Sequence, residues 1–216
     1  MNIDFARQQM VKQQARAWAV LDGNVLAVLS EVPRERFVPA DFESLAFADT
    51  EIPIGHGQKM MTPTIEGRVL QALQLTGNER VLEIGTGSGF LTACLAQLAA
   101  HVTSIDIHDD FLAAAQKCLT DNGSENVDLV GMDGTQELPQ GPFDAIAVTG
   151  SVQTLDQRLV DALTVGGKLF IVIGDAPAMR ATLVQRGGED DWHNETLFET
   201  ELTPLLNGAL PPQFSF

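Results

Sequence analysis

Basic side chains are scarce in this chain: 13 lysines and arginines stand against 29 aspartates and glutamates in 216 residues, a net charge of −16 at pH 7. Such a field repels phosphate backbones and anionic lipid surfaces, which argues against a nucleic-acid or membrane-surface partner. Cysteine is scarcer still. Cys94 and Cys118 each fall inside a helical pattern, in neither a metal-ligand nor a paired-cysteine spacing, so two reduced, helix-packing thiols and no metal are expected. No apolar run approaches a membrane span, and Arg7, Gln8, Gln9 and Lys12 interrupt any signal-peptide core near the start. A cytoplasmic protein is the expectation. Repeats, low-complexity tracts and linkers are absent too, and the length suits one domain with a proper core rather than two.

What the chain does have is Glu83-Ile84-Gly85-Thr86-Gly87-Ser88-Gly89, closing an apolar run from Val81 and opening a helical pattern that continues to about Ala100. This predicts a strand, a glycine turn and a helix. Glycines at alternate positions open backbone conformations closed to residues with a Cβ and let a ligand approach the main chain. A dinucleotide fingerprint would need its third glycine at position 90, which is Phe90. A phosphate-cradling loop would need a lysine and a hydroxyl residue at the helix start, where Phe90, Leu91 and Thr92 stand. The alternate glycines with an acid two positions ahead resemble the first motif of class I S-adenosylmethionine methyltransferases. The resemblance implies that the turn passes under the methionine part of S-adenosyl-L-methionine and that Glu83 helps to fix the loop.

Around this turn the pattern alternates. Helices are expected at 4–20 and 24–30, then a mostly ordered loop through residue 58 rich in proline and glycine, with room for short strands. Thr62-Pro63 reads as an N-cap and first turn of a helix whose buried face carries Ile65, Val69, Leu70 and Leu73. Strands follow at 81–84, 102–107, 127–130, 143–149 and 168–173, with helices at 89–100, 109–121 and 155–163. Strands at 180–185 and 195–202 come last, separated by the polar turn 187–191 and by no helix. The fold class is therefore α/β: a doubly wound, Rossmann-like sheet of about seven strands, mostly parallel, with an antiparallel C-terminal pair and N-terminal helices. A single methyltransferase domain over 1–216 is expected. Residues 1–78 supply the N-terminal helices and acceptor-side loop, 79–175 the cofactor-binding core, and 176–216 the last strands.

Acids recur at the strand ends. Asp106 ends the second strand of the alternating unit, where a carboxylate can accept both ribose hydroxyls of an adenosyl ligand; a solvated strand end is the plainer reading. Met132-Asp133-Gly134 follows the third, so Asp133 can accept the adenine amino group while Gly134 leaves room for the ring; a turn aspartate is the alternative. The expected cofactor set is Glu83, Gly85, Thr86, Gly87, Ser88, Gly89, Asp106, Ile107, Asp133 and Gly134.

Along almost its whole length the chain resembles the protein-L-isoaspartate O-methyltransferases. The matching residues include Met10-Val11 and Gln14, Val32-Pro33-Arg34-Glu35-Arg36-Phe37-Val38-Pro39, Ile54-Gly55, Gly57-Gln58, the glycine turn, Asp133-Gly134, Pro142-Phe143-Asp144, Val148-Thr149, Gly166-Gly167 and Thr203-Pro204-Leu205. The resemblance implies methylation of the side-chain carboxylate of L-isoaspartyl residues in damaged proteins, which starts repair through a succinimide. An acceptor carboxylate with a pKa of about 4 is already ionised at pH 7 and needs no general base. Relatives usually carry Gly-Gln-Thr-Ile-Ser in the acceptor loop. Here Gly57-Gln58-Lys59-Met60-Met61-Thr62-Pro63 places Met61 at the functional serine, which leaves Gln58 and Thr62 as the substrate-contact candidates and Thr62 as the catalytic one. Thr62 also suits a plain helix cap, and His56 is not expected to be catalytic. Two other readings stay open: the same enzyme class acting on a different acceptor, a small metabolite or another protein group, and a non-catalytic S-adenosylmethionine-binding module.

Overall fold

The computed structural model describes residues 3–188 and 191–208. A short hairpin of β1 (Ile52–Gly55) and β2 (Gln58–Met60) stands apart from a seven-stranded sheet. The sheet is built from β3 (Arg80–Ile84), β4 (His101–Asp106), β5 (Val127–Gly131), β6 (Phe143–Val152), β7 (Leu163–Ile173), β8 (Met179–Arg186) and β9 (Trp192–Thr200), in the order β5-β4-β3-β6-β7-β8-β9. Pairing is parallel from β5 to β7 and antiparallel in β7-β8-β9. The chain enters at β3, winds outward to β5 and returns across β3 to β6. The strand order therefore reverses at β3/β6, the place where open α/β sheets leave a crevice at their carboxyl ends.

Alternation along the strands explains why both faces are covered. Val81, Val102, Ala145, Ala147, Phe170 and Val172 enter one apolar cluster, while Leu82, Ile84, Ile105, Ile146, Val148, Leu169 and Ile171 enter the other. Successive strand side chains point to opposite faces, so near-continuous apolar runs demand helices on each. The helices are α2 (Gly23–Glu31), α3 (Pro63–Leu73), α4 (Phe90–Leu98), α5 (Asp109–Asp121) and α6 (Gln157–Asp161). Among the described residues, no helix is long and apolar enough to cross a membrane.

Several boundaries differ from the sequence reading. The helix expected at 4–20 is α1 (Ile3–Gln9) followed by a π-helical segment, Met10–Ala15. There the amide of Arg16 reaches back to the carbonyl of Val11 at 3.2 Å and that of Val20 to Ala15 at 3.0 Å, and Ala19 turns the chain with φ 61°. The wider turn brings Met10, Val11 and Ala15 all into the core, a gain that helical periodicity does not anticipate. The helix expected at 155–163 shortens to α6 because Ala162 already accepts the Phe143 amide at 2.8 Å and Leu163 pairs with Phe143 in the sheet. The last strand stops at Thr200, so Leu202 leaves the sheet and is buried elsewhere. The polar turn at 187–191 lies partly outside the described residues.

Candidate active site

The three glycines of the turn between β3 and α4 adopt φ 99° (Gly85), 50° (Gly87) and 81° (Gly89), the left-handed region that side chains disfavour. Gly85 has a second constraint. A Cβ there would lie 2.2 Å from Thr149 Oγ1, and that hydroxyl crosses the turn to donate to the carbonyls of Ile84 (3.0 Å) and Gly85 (2.8 Å). The end of β6 is thereby pinned to the end of β3.

The turn rests on buried acids. Glu83 is fully buried, and its Oε2 accepts from Ser104 Oγ (2.6 Å) and Thr92 Oγ1 (2.5 Å) while its Oε1 has no hydrogen-bond partner among the described residues. Burial pushes its carboxyl up to about 7 against the pull of those two hydroxyls. Asp106 closes β4 and accepts the Gly87 amide at Oδ2 (2.9 Å) and the His108 amide at Oδ1 (3.0 Å). Each oxygen keeps a lone pair for a ligand. Asp133 Oδ1 accepts from the Thr135 amide (2.9 Å) and hydroxyl (2.6 Å), and its Oδ2 accepts from Asn207 Nδ2 (2.9 Å). Hydrogen bonding from Thr135 and Asn207 outweighs burial and holds this carboxyl below its ordinary range.

These groups line one cavity with about 920 Å³ of non-atom space, part of it continuous with solvent. Its walls come from the carboxyl ends of β3, β4, β5 and β6, from the hairpin β1-β2, and from residues 202–206, which run back over the sheet. Of the residues expected from sequence, Gln58, Glu83, Gly85, Thr86, Gly87, Ser88, Asp106, Ile107, Asp133 and Gly134 line it. At Gly134 a Cβ would meet Ile84 Cγ2 at 2.7 Å and Ile105 Cδ1 at 3.1 Å, so the glycine makes room for two isoleucines. Gly89 and Thr62 are not among the lining residues. Gly89 packs on α5, where a Cβ would meet that of Ala115 at 2.8 Å. Thr62 caps α3, its Oγ1 accepting the Ile65 amide at 3.4 Å and sharing a 2.8 Å hydrogen bond with Thr64, which donates to Asp49 at 2.7 Å. The hydroxyl is thus engaged within its own turn, while Met61 lines the cavity.

Sequence reasoning gave no role to Arg34, yet this fully buried cation ties the end of the hairpin to the start of α3. Its Nη2 donates to the Met61 carbonyl at 2.7 Å, and its Nη1 to Met60 Sδ (3.6 Å) and Glu66 Oε1 (3.3 Å). Glu66 Oε2 is closer, at 3.1 Å, but as an ion-pair contact outside hydrogen-bonding geometry. The guanidinium also covers the Phe90 ring at 4.9 Å. Burial works against both charges: it lowers Arg34 and pushes Glu66 up to about 8, with each partner pulling the other way. The residues 202–206 also escaped notice as a wall. They are tied to the end of β6 by hydrogen bonds between Ser151 and the backbone of Leu202, Thr203 and Leu205. Their only signal was the matching Thr203-Pro204-Leu205. A ring cluster joins the hairpin to α5: His56, at φ 52°, stacks on His108 at 4.0 Å and pairs with Asp110 at 2.8 Å.

A glycine turn beneath converging strand ends, with an acid closing the neighbouring strand and an antiparallel sheet edge, defines a class I S-adenosylmethionine-dependent methyltransferase. The family model described as Protein-L-isoaspartate(D-aspartate) O-methyltransferase (PCMT) matches residues 5–209. The chain belongs to that family. It is 41% identical over 202 residues to "Protein-L-isoaspartate O-methyltransferase 1" of Rhodopseudomonas palustris (strain HaA2), covering 93% of this chain and 82% of the relative. It is 38% identical over 209 residues to the "Protein-L-isoaspartate O-methyltransferase" of Synechococcus sp. (strain JA-2-3B'a(2-13)), covering 96% and 83%. Its fold matches a Plasmodium falciparum crystal structure described as a protein-L-isoaspartate O-methyltransferase in complex with S-adenosyl-L-homocysteine. The TM-score is 0.79 at 21% identity, over 92% of this chain and 97% of that one.

Proposed function

We propose that this chain transfers the methyl group of S-adenosylmethionine to the side-chain carboxylate of L-isoaspartyl residues in damaged proteins or peptides, and that it does so in the cytoplasm as a single domain. The observation that carries the reading is the joining, in one cavity, of the glycine turn and Asp106 with the hairpin β1-β2, the segment that carries this family's acceptor loop. S-adenosylmethionine supplies an electrophilic methyl group on a sulfonium. In this reading Gly85, Thr86, Gly87 and Ser88 bring backbone against its methionine part, Asp106 accepts the ribose hydroxyls and Asp133 the adenine amino group. Gly89 shapes the turn from behind, and Glu83 fixes it from the cavity side. The orphaned Oε1 of Glu83 and the spare lone pairs of Asp106 fit a cofactor rich in donors.

For the acceptor, the residues need only hold an oxygen in line and exclude water, because the carboxylate arrives ionised. Gln58 offers an amide at the cavity mouth, and Thr62 fixes the turn from which Met61 projects into it. The net charge of −16 supports a protein or peptide partner over nucleic acid.

The test is methyl transfer to an isoaspartyl peptide beside its aspartyl isomer, with S-adenosylhomocysteine affinity measured by calorimetry. Turnover of the isoaspartyl peptide alone is expected. Met61 in place of the family's serine favours a second reading, the same chemistry on a different acceptor. Tight cofactor binding with no peptide turnover, but with methyl transfer to some component of a cell extract, would select it. No transfer to any acceptor would leave a binding module.

A further inference from the structure

An anionic acceptor faces an acidic cavity. Glu51, Glu66, Glu83, Asp106 and Asp133 all line it, in a chain of net charge −16. Among the described lining residues there is one lysine and no arginine, and that lysine is Lys59 of β2. Arg34, the nearest buried cation, is committed to Glu66 and to the Met61 carbonyl. Met61 offers a thioether where the family's serine offers a hydroxyl donor. Met61 gives a carboxylate no donor, and Lys59, two positions earlier in the same loop, carries three, one of them engaged by Glu51.

We infer that Lys59 is the acceptor-binding residue of this chain, an ammonium that receives the substrate carboxylate at the hairpin rim in place of the missing serine. The inference rests on the isoaspartyl reading above. Lys59 Nζ donates to Glu51 Oε2 at 2.7 Å, and no other hydrogen bond of Nζ is present among the described residues. Two of its three protons remain for a carboxylate. The side chain is 47% exposed, so an incoming peptide reaches it without the hairpin opening. The hydrogen bond and charge of Glu51 raise its pKa, which favours the charged ammonium. Glu51 and Lys59 both line the cavity, and their ion pair leaves the ammonium open to solvent beside it.

Three variants and an isoaspartyl peptide test this, with turnover by the parent as the entry condition. Lys59→Met is expected to raise KM for the peptide at least tenfold while S-adenosylhomocysteine affinity and the urea midpoint stay within twofold and experimental error. Lys59→Arg is expected to bring KM back to within about threefold of the parent, because the charge is what the carboxylate reads. Glu51→Gln breaks the same ion pair but keeps the ammonium, and should leave KM unchanged or lower it. An unchanged KM in Lys59→Met overturns the inference and leaves the isoaspartyl activity standing. So does a Glu51→Gln variant as impaired as Lys59→Met, since the ion pair and not the cation would then be at work. A parent enzyme inert toward the isoaspartyl peptide removes the functional reading itself, and this inference with it.

Discussion

Arg34 donates from Nη2 to the main-chain carbonyl of Met61 at 2.7 Å, so the residue at the family's serine position is held by its backbone from a cation with no exposed surface. The loop of residues 32–39, the end of the hairpin, the start of α3 and the Phe90 ring of α4 all meet on that one side chain.

Removing Arg34 should therefore be felt in stability before it is felt in chemistry. Breaking one side of a buried pair typically costs about 3–5 kcal/mol, and Arg34→Met is expected to fall in that range by urea unfolding. Because Glu66 is left as the orphan, Arg34→Met with Glu66→Gln should regain at least about 1 kcal/mol. Arg34→Lys should not rescue, since an ammonium cannot spread across Met61, Met60 and Glu66 as a planar guanidinium does. A fully stable Arg34→Met chain would show that the hub is dispensable.

Asp106 can be tested on the cofactor alone. Asp106→Ala should weaken S-adenosylhomocysteine binding by roughly 1.5–3 kcal/mol, the range for hydrogen bonds to a charged group, with the fold intact by circular dichroism. Asp106→Asn should cost less, because its carbonyl oxygen can still take the Gly87 amide that steadies the turn. Equal affinity in all three would take Asp106 out of the site.

For Thr62 the geometry separates capping from acceptor contact. Thr62→Ala should lose about 1 kcal/mol of stability, the ordinary value of an N-cap, and Thr62→Ser should lose almost none. With the side chain outside the cavity lining, peptide KM should move less than twofold in both. A tenfold rise in Thr62→Ala alone would restore the hydroxyl to the acceptor.

The carboxyl of Glu83 gives a pH signature. Burial raises it from an ordinary 4.5 to about 7 in the fold, so the folded chain holds this proton more tightly than the unfolded one. Its contribution is complete below about pH 4.5 and is lost as pH rises toward 7. Unfolding midpoints in urea should fall from pH 5 to pH 7, and Glu83→Gln should flatten that slope in part, Glu66 having the same sign and a higher range, about 8. Identical slopes in parent and variant would mean that Glu83 is already ionised at pH 5.

The central sheet was legible because it obeys a short-range rule: apolar runs bounded by glycine and acid, alternating with amphipathic helices, give β3 to β6 within three residues of their observed ends, whereas β7 begins five residues earlier than expected, at Leu163. That Asp106 and Asp133 reach the cavity was legible for the same reason, both being acids at strand ends. The π-helical turn at Met10–Ala15 was not, because the slip is set by three side chains reaching the core together and not by local propensity. Nor was Arg34, since nothing near it in the chain announces Glu66, Met61 or Phe90 as its partners. Gly134 shows the limit most plainly. Its place after β5 can be read locally, but the two isoleucines that a Cβ there would meet come from β3 and β4, far away in the chain.

Residues 202–206 form the wall that closes over the strand ends, and Asn207 fastens it to Asp133. Translation runs from the amino end, so the ribosome delivers every other part of the cavity before this one. A nascent chain that has folded its sheet as far as β7 already displays the glycine turn and Asp106, yet lacks the surface that would retain a cofactor there. On the proposed reading of the cavity, ligand affinity is complete only once residues 202–206 are in place. Protection by S-adenosylhomocysteine against protease is therefore expected in the full chain and not in a chain truncated before Leu202.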